Sequence, residues 1–514
     1  MTRCIGFVLL MAVTVLGAET STPSVTSQQP QTVTFNKDVL PILQNNCQMC
    51  HRPGAVAPMS FLTYESARPW AKAIKAAVLN KQMPPWFADP HYGEFRNAPK
   101  LTESDIRSLA AWADSGAREG DASTRPPQVQ WADGWRIQPD VVVSIPEAHF
   151  VRARGVGEIK EFTVPNPFRE DTWVTSIEVR PGDPSVVHHV IVRVPEETNG
   201  KIFGRRALNC AGCPQALLQD AILATATGRV DEQVPQSPQG GGYSDIQARI
   251  QERITGEGAF TTMEAVYAPG SPPLDFRFRN SAKLIRGGKP IRIEVHYTPN
   301  GKETTDRTMV GFTLAKAPVD RRFVIMAPEH MADQRRPIPA GEANWETRGE
   351  LTFKQDAELV WFMPHMHLRG KDMTFRLVYP NGREETVLSA KFNFNWQLGY
   401  ELDDPIAVTR GTRMIVTAHH DNSANNPMNP TPDQDAAWGE MTSQEMMLPW
   451  FGVVVNNDAL PNEIASYRPA DLRGGPLSMR PNLAVKAVPR PAPTPPFAVE
   501  RPARIPRVPS PPVF

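Results

Sequence analysis

An excess of charge of either sign is the first thing this sequence lacks. It carries 55 Lys and Arg against 55 Asp and Glu. That balance argues against nucleic acid or an acidic surface as a partner, because neither would be drawn by the summed field of the chain. Long hydrophobic runs are lacking too. Residues 5–17, after Arg3, form one short apolar stretch that ends in the small residue Gly17, followed by Ala18 and a polar run. This is too short for a comfortable bilayer-spanning helix and reads as a secretory signal peptide over residues 1–18. The chain is therefore expected to be exported, periplasmic or extracellular, with no integral membrane span. Cysteine is scarce. Of the five, Cys4 precedes the apolar stretch, where it is not placed for lipid attachment. The other four form two Cys-x-x-Cys pairs, Cys47/Cys50 and Cys210/Cys213.

Proline, in contrast, is plentiful: 52 residues, about twice the usual share. That favours loops, edge strands and linkers over long helices. The length allows three domains.

The first domain is expected over residues 33–120. Cys47-Gln48-Met49-Cys50-His51 matches the c-type haem attachment pattern, in which two thiols become thioethers and the histidine an axial iron ligand. A disulfide followed by chance by histidine is the alternative. Helices are predicted over 35–46, over 64–79 with Trp70, Ile74, Ala77 and Val78 apolar, and from a Thr102/Asp105 capping box onward. On the last, Ile106, Leu109, Ala110 and Ala113 line the apolar face and Gly116 ends it. Three short helices with this motif resemble a small all-α class I cytochrome c holding one covalent haem c. A thioether sixth ligand suits an electron carrier. Met83, in Met83-Pro84-Pro85-Trp86, is the preferred candidate, and Met59 is its rival. Residues 121–137 read as a linker.

Beyond the linker, helical periodicity gives way to short alternating runs separated by Pro, Gly and Asn, the texture of an all-β sandwich or barrel. Residues 138–320 contain Val187-His188-His189-Val190 and, later, Glu294-Val295-His296-Tyr297. Adjacent strand residues face opposite ways, so His188 and His189 share one metal only at a bulge or strand end. Between these motifs an insertion over 196–281 holds Cys210 and Cys213, read as a local disulfide, with a redox or metal-binding pair as the alternative. Residues 321–466 contain Pro364-His365-Met366-His367 at the end of an apolar run. There the two imidazoles, two positions apart, share a face. Asn381-Gly382 predicts a hairpin turn. His419 and His420 fall in a turn-rich stretch and read as loop residues near the site, while Met446 follows Glu445 before a strand. The Pro- and Arg-rich residues 467–514 read as an extended or disordered tail.

The ordered set His-His, His, His-x-His and Glu-Met resembles the copper type II, ascorbate-dependent monooxygenases, the family of peptidylglycine α-hydroxylating monooxygenase and dopamine β-monooxygenase. The resemblance covers roughly residues 138–466. It implies two jelly-roll β-sandwiches, each carrying one copper across an open cleft. His188, His189 and His296 would hold the electron-transfer copper. His365, His367 and Met446 would hold the oxygen-binding copper. Imidazole suits both copper oxidation states and the thioether favours Cu(I). The sequence departs from the peptide-amidating members. Met363 stands where they have a carboxylate-binding arginine, and Leu448 and Trp450 where they have asparagine and tyrosine. A charge-assisted anchor is thereby replaced by apolar side chains.

The expected protein is an exported haem–copper monooxygenase that hydroxylates a C–H bond of a small neutral organic molecule with O2. Its electrons would come from an external donor, a small reductant or redox protein, through the haem to the coppers. A non-catalytic copper-binding or electron-transfer protein on the same scaffold is the competing expectation.

Overall fold

A computed structural model describes residues 32–131, 134–155, 157–194, 260–329, 331, 336–439, 442–456 and 459–468. The signal-peptide expectation, the Cys210/Cys213 pair, His330 and nearly all of the tail lie outside the described residues. The chain divides after Arg473, and the described residues all fall in the first unit. They are mostly β-sheet with a few short helices, and no described helix is long and apolar enough to cross a membrane.

The helices come first. A π-helical turn over Phe35–Val39 runs into α1 (Leu40–Asn46), and Cys47 caps it. The predicted helix over 64–79 is broken into α2 (Tyr64–Ala67), a 3-10 turn at Arg68–Trp70 and α3 (Ala71–Leu79). Pro69 explains the break, since it donates no amide to the preceding turn. Trp70 is exposed, not on the apolar face, whereas Ile74 and Val78 are buried. The capping box is present at α4 (Glu103–Asp114): Thr102 Oγ1 accepts from the Asp105 amide and Asp105 Oδ2 accepts from the Thr102 amide. Gly116, at φ +89, ends the helix. Phe35, Leu43, Leu109 and Trp112 centre the helical core.

A ten-stranded sheet is the backbone of the rest. Its main order is β1 (Val141–Ser144), β12 (Met309–Leu314), β4 (Thr172–Arg180), β9 (Ser281–Ile285), β13 (Arg321–Pro328), β20 (Leu448–Asn456), β15 (Ala357–His365), β18 (Tyr400–Val408). Short β6 (Phe260–Thr262) and β8 (Leu274–Asp275) attach to β13 and β4. A four-stranded sheet, β3 (Glu158–Val164), β10 (Ile291–Tyr297), β5 (Val187–Arg193) and β7 (Ala265–Tyr267), covers its first half. A five-stranded sheet covers the second: β17 (Glu384–Lys391), β16 (Gly370–Val378), β19 (Arg413–His420), β14 (Trp345–Phe353) and β21 (Ala465–Tyr467). A further pair joins β11 (Thr304–Asp306) to β2 (His149–Val151).

The two sandwiches are therefore joined through one sheet. The join is a short parallel pairing in which Arg321 and Arg322 of β13 meet Ser281 and Ala282 of β9. Strands β13, β15 and β20 are buried on both faces. Phe323 and Ile325 point into the core under the four-stranded sheet, while Val324 and Met326 point into the core under the five-stranded one. A strand covered on both sides reads as a continuous apolar run, as Val453-Val454-Val455 does. Asn381-Gly382 makes the β16–β17 hairpin, with Gly382 at φ +84. Strands β6, β7 and β8 carry residues 260–275 into the sheets, so the end of the expected insertion is sheet.

Candidate metal centre

The first histidine set is made by a defect in a ladder. His296 of β10 pairs with His189 of β5, but the next residue, Tyr297, pairs with Val187. His188 is the extra residue of a β-bulge, which brings two neighbours to one side. Their ring centroids lie 4.1 Å apart, and those of His189 and His296 lie 5.7 Å apart.

The second set sits where a strand ends. His365 is the last residue of β15, opposite Leu448. His367 follows in the turn, its ring 5.4 Å from that of His365 and perpendicular to it. The rings of His189 and His365 are 6.3 Å apart. The five imidazoles thus form one unbroken series, in place of the open cleft implied by the resemblance. The shared sheet is the physical reason. One core runs from Val190 and Val295 to Val360, Met363 and Trp450, packing residues of both sandwiches together.

Hydrogen bonds assign the tautomers, because carbonyl and carboxylate oxygens only accept. His188 Nε2 donates to the Phe394 carbonyl at 3.1 Å and His296 Nε2 to Glu294 Oε1 at 2.8 Å. Both rings keep an Nδ1 lone pair. His367 Nδ1 donates to the Gln444 carbonyl at 3.1 Å and His365 Nδ1 to Gln397 Oε1 at 2.6 Å. Both keep an Nε2 lone pair. His189 is 4 % exposed, and its Nε2 is buried with no hydrogen-bond partner.

Burial holds His188, His189, His365 and His367 neutral. It lowers His188 and His365 to about 4 and His367 to about 3. His189 falls well below its ordinary value, through burial first and then His188. Burial alone would raise Glu294, but the His296 hydrogen bond and the Arg193 charge bring it to about 2. Neutral, desolvated imidazoles with unshared lone pairs are what a transition metal requires of its ligands.

A buried polar network supports the second set. Glu445 is fully buried, and its Oε2 accepts from the amides of His367 at 3.0 Å and Met446 at 3.3 Å. Its Oε1 accepts from the Arg369 amide at 2.6 Å. One carboxylate so ties the His-x-His turn to the half-buried Met446. Burial raises Glu445 to about 7 against these donors. The Arg369 side chain, 1 % exposed, donates to Asn422, Ser443 and Thr431. His420 belongs to β19 and not to a loop. It is buried, and its Nε2 donates to the Met446 carbonyl at 3.3 Å. His419, also on β19, pairs with Asp372.

The Cys47-x-x-Cys50-His51 turn closes on Cys47, whose carbonyl accepts from the amides of Cys50 and His51. Both cysteines are free thiols. Burial, then Cys50, raises Cys47 to about 12. His51 stacks on Phe61 at 4.3 Å, and its buried Nδ1 has no hydrogen-bond partner. The Met59 backbone lies against this ring. Met83 is half-buried after α3.

The segment after Met83 is strapped to the second sandwich. Asp89 donates its amide to Ser389, Arg96 donates its amide to Glu401, and Trp86 packs on Tyr400 with ring centroids 5.0 Å apart. A Cβ built on Gly270 would lie 3.6 Å from Cys50 Sγ and 3.6 Å from Trp396 Cζ3. Cys50 and Trp396, the latter in the loop that carries Phe394 and Gln397, therefore both approach Gly270.

Of the residues the motifs single out, the structure brings the five imidazoles together, and it ties the Met446 backbone to Glu445 and His420. The motifs did not reveal Gln397, the Phe394 carbonyl, Glu445 or Arg369 as supports. Glu294 was readable, since residues 294 and 296 share a strand face. Met363 and Trp450 are cross-strand partners buried in the core. Leu448 is half-buried.

As placed, no three His, Cys, Asp or Glu side chains among the described residues make a ready three-ligand set. The donor chemistry fits copper nonetheless: four fixed tautomers with free lone pairs and the unpartnered His189 Nε2. The free thiols and the unpartnered His51 Nδ1 fit a covalent haem.

No protein-family model matches this chain, and no curated protein does. Solved structures with a detected likeness include the T13 IBDV viral particle, at 6 % identity over 65 % of this chain and 76 % of that one, with a TM-score of 0.15. The infectious bursal disease virus Gt strain is another, at 8 % over 66 % and 79 %, with a TM-score of 0.11. Likeness this slight carries no assignment of fold or activity.

Proposed function

We propose that this chain is an exported haem–copper monooxygenase that hydroxylates a C–H bond of a small, neutral, partly apolar molecule with O2. The observation that carries the reading is the ring-contact series from His188 and His296 through His189 to His365 and His367. When bound, two coppers would supply one-electron redox cycling and O2 chemistry, and the covalent haem c a one-electron relay from an outside donor.

The residues divide the work. His188 and His296 would offer Nδ1, together with His189, to the electron-transfer ion. His365 and His367 would offer Nε2, with the Met446 thioether, to the oxygen-binding ion. Glu445 holds His367 and Met446 in register, and the core around Met363 and Trp450 keeps bulk water from the rings. Cys47 and Cys50 would bind haem and His51 would ligate it. Met83, after α3, is the favoured thioether to hold the haem beside His51. The strap, and the approach of both Cys50 and Trp396 to Gly270, support relay from haem to copper.

Purified full-length protein should contain one covalent haem and two coppers, and O2 uptake should depend on substrate. Zinc alone, or copper unaffected by His365→Ala, would refute the metal assignment. A second reading, a non-catalytic copper-binding or electron-transfer protein, has one observation in its favour. The cavity beside Met363, Trp361 and Gln397 is about 20 Å³, room for about one water molecule. Two coppers without substrate-dependent uptake would select that reading.

A further inference from the structure

Gln397 is a buried amide, 2 % exposed, on a loop outside every motif above. Its Oε1 accepts from His365 Nδ1 at 2.6 Å, and its Nε2 donates to the Phe394 carbonyl at 3.2 Å. That same carbonyl accepts from His188 Nε2 at 3.1 Å. Three hydrogen bonds therefore run His365, Gln397, Phe394, His188, joining one imidazole from each sandwich. The Phe394 ring adds a contact with the His188 ring, their centroids 4.6 Å apart.

The direction of each bond is forced. A flipped amide would set Oε1 against the Phe394 carbonyl, two acceptors with no proton between them. Gln397 must then present oxygen to His365, so His365 carries its proton on Nδ1. The Phe394 carbonyl receives from both sides, so His188 carries its proton on Nε2. The Gln397 side chain sets the His365 tautomer directly and ties down the carbonyl that sets the opposite tautomer of His188.

We propose that Gln397 is a positioning residue for both metal sites at once, a clamp that holds the two sandwiches' histidines in register and presents Nε2 of His365 and Nδ1 of His188 to metal. The metals rest on the function proposed above; the clamp itself rests on the hydrogen bonds. Partners that orient metal-binding imidazoles are worth about ten- to a hundredfold in metal affinity. A partner shared by two sites should show that loss at both.

The test uses full-length protein with copper removed and histidines labelled with nitrogen-15. NMR of the unsubstituted protein should report Nδ1–H at His365 and Nε2–H at His188. The reverse tautomer at either ring would overturn the proposal without any variant. Gln397→Met, close in volume, removes both bonds of the amide. His365 should then become a tautomer mixture, His188 should keep Nε2–H on the Phe394 carbonyl but with a shifted nitrogen-15 signal, and chelator competition should find both coppers bound about ten- to a hundredfold more weakly. Change at His365 alone, or at neither ring, would overturn the clamp. Failure of the unsubstituted protein to bind copper would instead sink the function proposed above and leave the tautomer result standing.

Discussion

The two histidine sets have nearly the same number of imidazoles but are held by different means. His188, His189 and His296 sit within a β-ladder, where backbone pairing on both sides of the bulge fixes them. Their one charged support, Glu294 with Arg193, lies toward the surface. His365 and His367 sit at and beyond a strand end, so no ladder holds the second ring. Its place is set by a carbonyl and a side chain from a distant segment: Gln444 and above all Glu445. The lesson is that a site inside a sheet depends on register, whereas a site at a strand end depends on buried polar partners. Damage to those partners should separate the two sets.

The largest expected effect separates them chemically. Met446→Ile removes the soft ligand at similar volume. Substrate-dependent O2 uptake should fall to background, while copper at the His188, His189 and His296 set is retained in metal analysis. Full activity would show that Met446 is not a ligand.

Glu445→Ala should separate them structurally. It leaves the buried amides of His367, Arg369 and Met446 without their acceptor, at about 1–3 kcal/mol each. We expect about 3–5 kcal/mol of lost stability in denaturant unfolding, with the nitrogen-15 signature of His367 changed and that of His296 unchanged. Equal disturbance of both rings would erase the distinction drawn above.

Met363→Arg tests the apolar face between the sets. In the peptide-amidating enzymes that the sequence resembles, an arginine at this position would bind substrate. Here Met363 is 3 % exposed opposite Trp450, so a charge there has no water and no partner. A loss of about 3 kcal/mol is expected, with no amidation of a glycine-extended peptide.

Acid should act on both sets at once. In the copper-free protein, His188 and His365 at about 4 and His367 at about 3 lie below the usual value of about 6.5. Between those limits the unfolded chain binds protons that the folded chain refuses. Their contribution is full above about pH 6.5 and is lost as pH falls through 4. Glu445, raised to about 7, opposes them as a single group. Unfolding free energy should drop from pH 7 to pH 4.5, and His365→Gln should flatten that slope by about one proton.

How much of this was legible in the sequence depended on distance along the chain. The Thr102/Asp105 capping box, the Asn381-Gly382 hairpin and the thiol turn are set by neighbours and could be read directly. The His188/His189 doublet could be read only conditionally, since the bulge depends on how β10 pairs with β5. The single sheet through both sandwiches rests on the β9–β13 join at Arg321 and Arg322, which no periodicity announces. Gln397 lies in a loop of Asn, Phe and Trp without pattern, and its partners are brought to it only by the packed core. His420 reads as a loop residue because polar, turn-forming neighbours follow it, yet the ladder with Trp345 continues to that residue.

The smallest expected effect concerns a third comparison, between the sandwiches and the helical region that carries Cys47, Cys50 and His51. The linker over 121–137 invites the idea of a tether that raises the local concentration of a freely moving donor. The strap argues for a fixed seat instead. Backbone pairing at Ala88 with Ala390 and at Phe95 with Leu402 adds segments to the sandwich edges. The Arg96–Glu401 ion pair at 2.7 Å and the Trp86, Phe95 and Tyr400 rings fasten it. A Gly-Ser insertion after Gln128, in the exposed part of the linker, should therefore leave electron transfer between haem and copper nearly unchanged in anaerobic stopped-flow. Trp86→Ala, which loosens the strap, should slow it, and the rate should stay independent of protein concentration. A rate that falls with linker length as a tether predicts, with Trp86→Ala silent, would mean that the strap does not fix the seat.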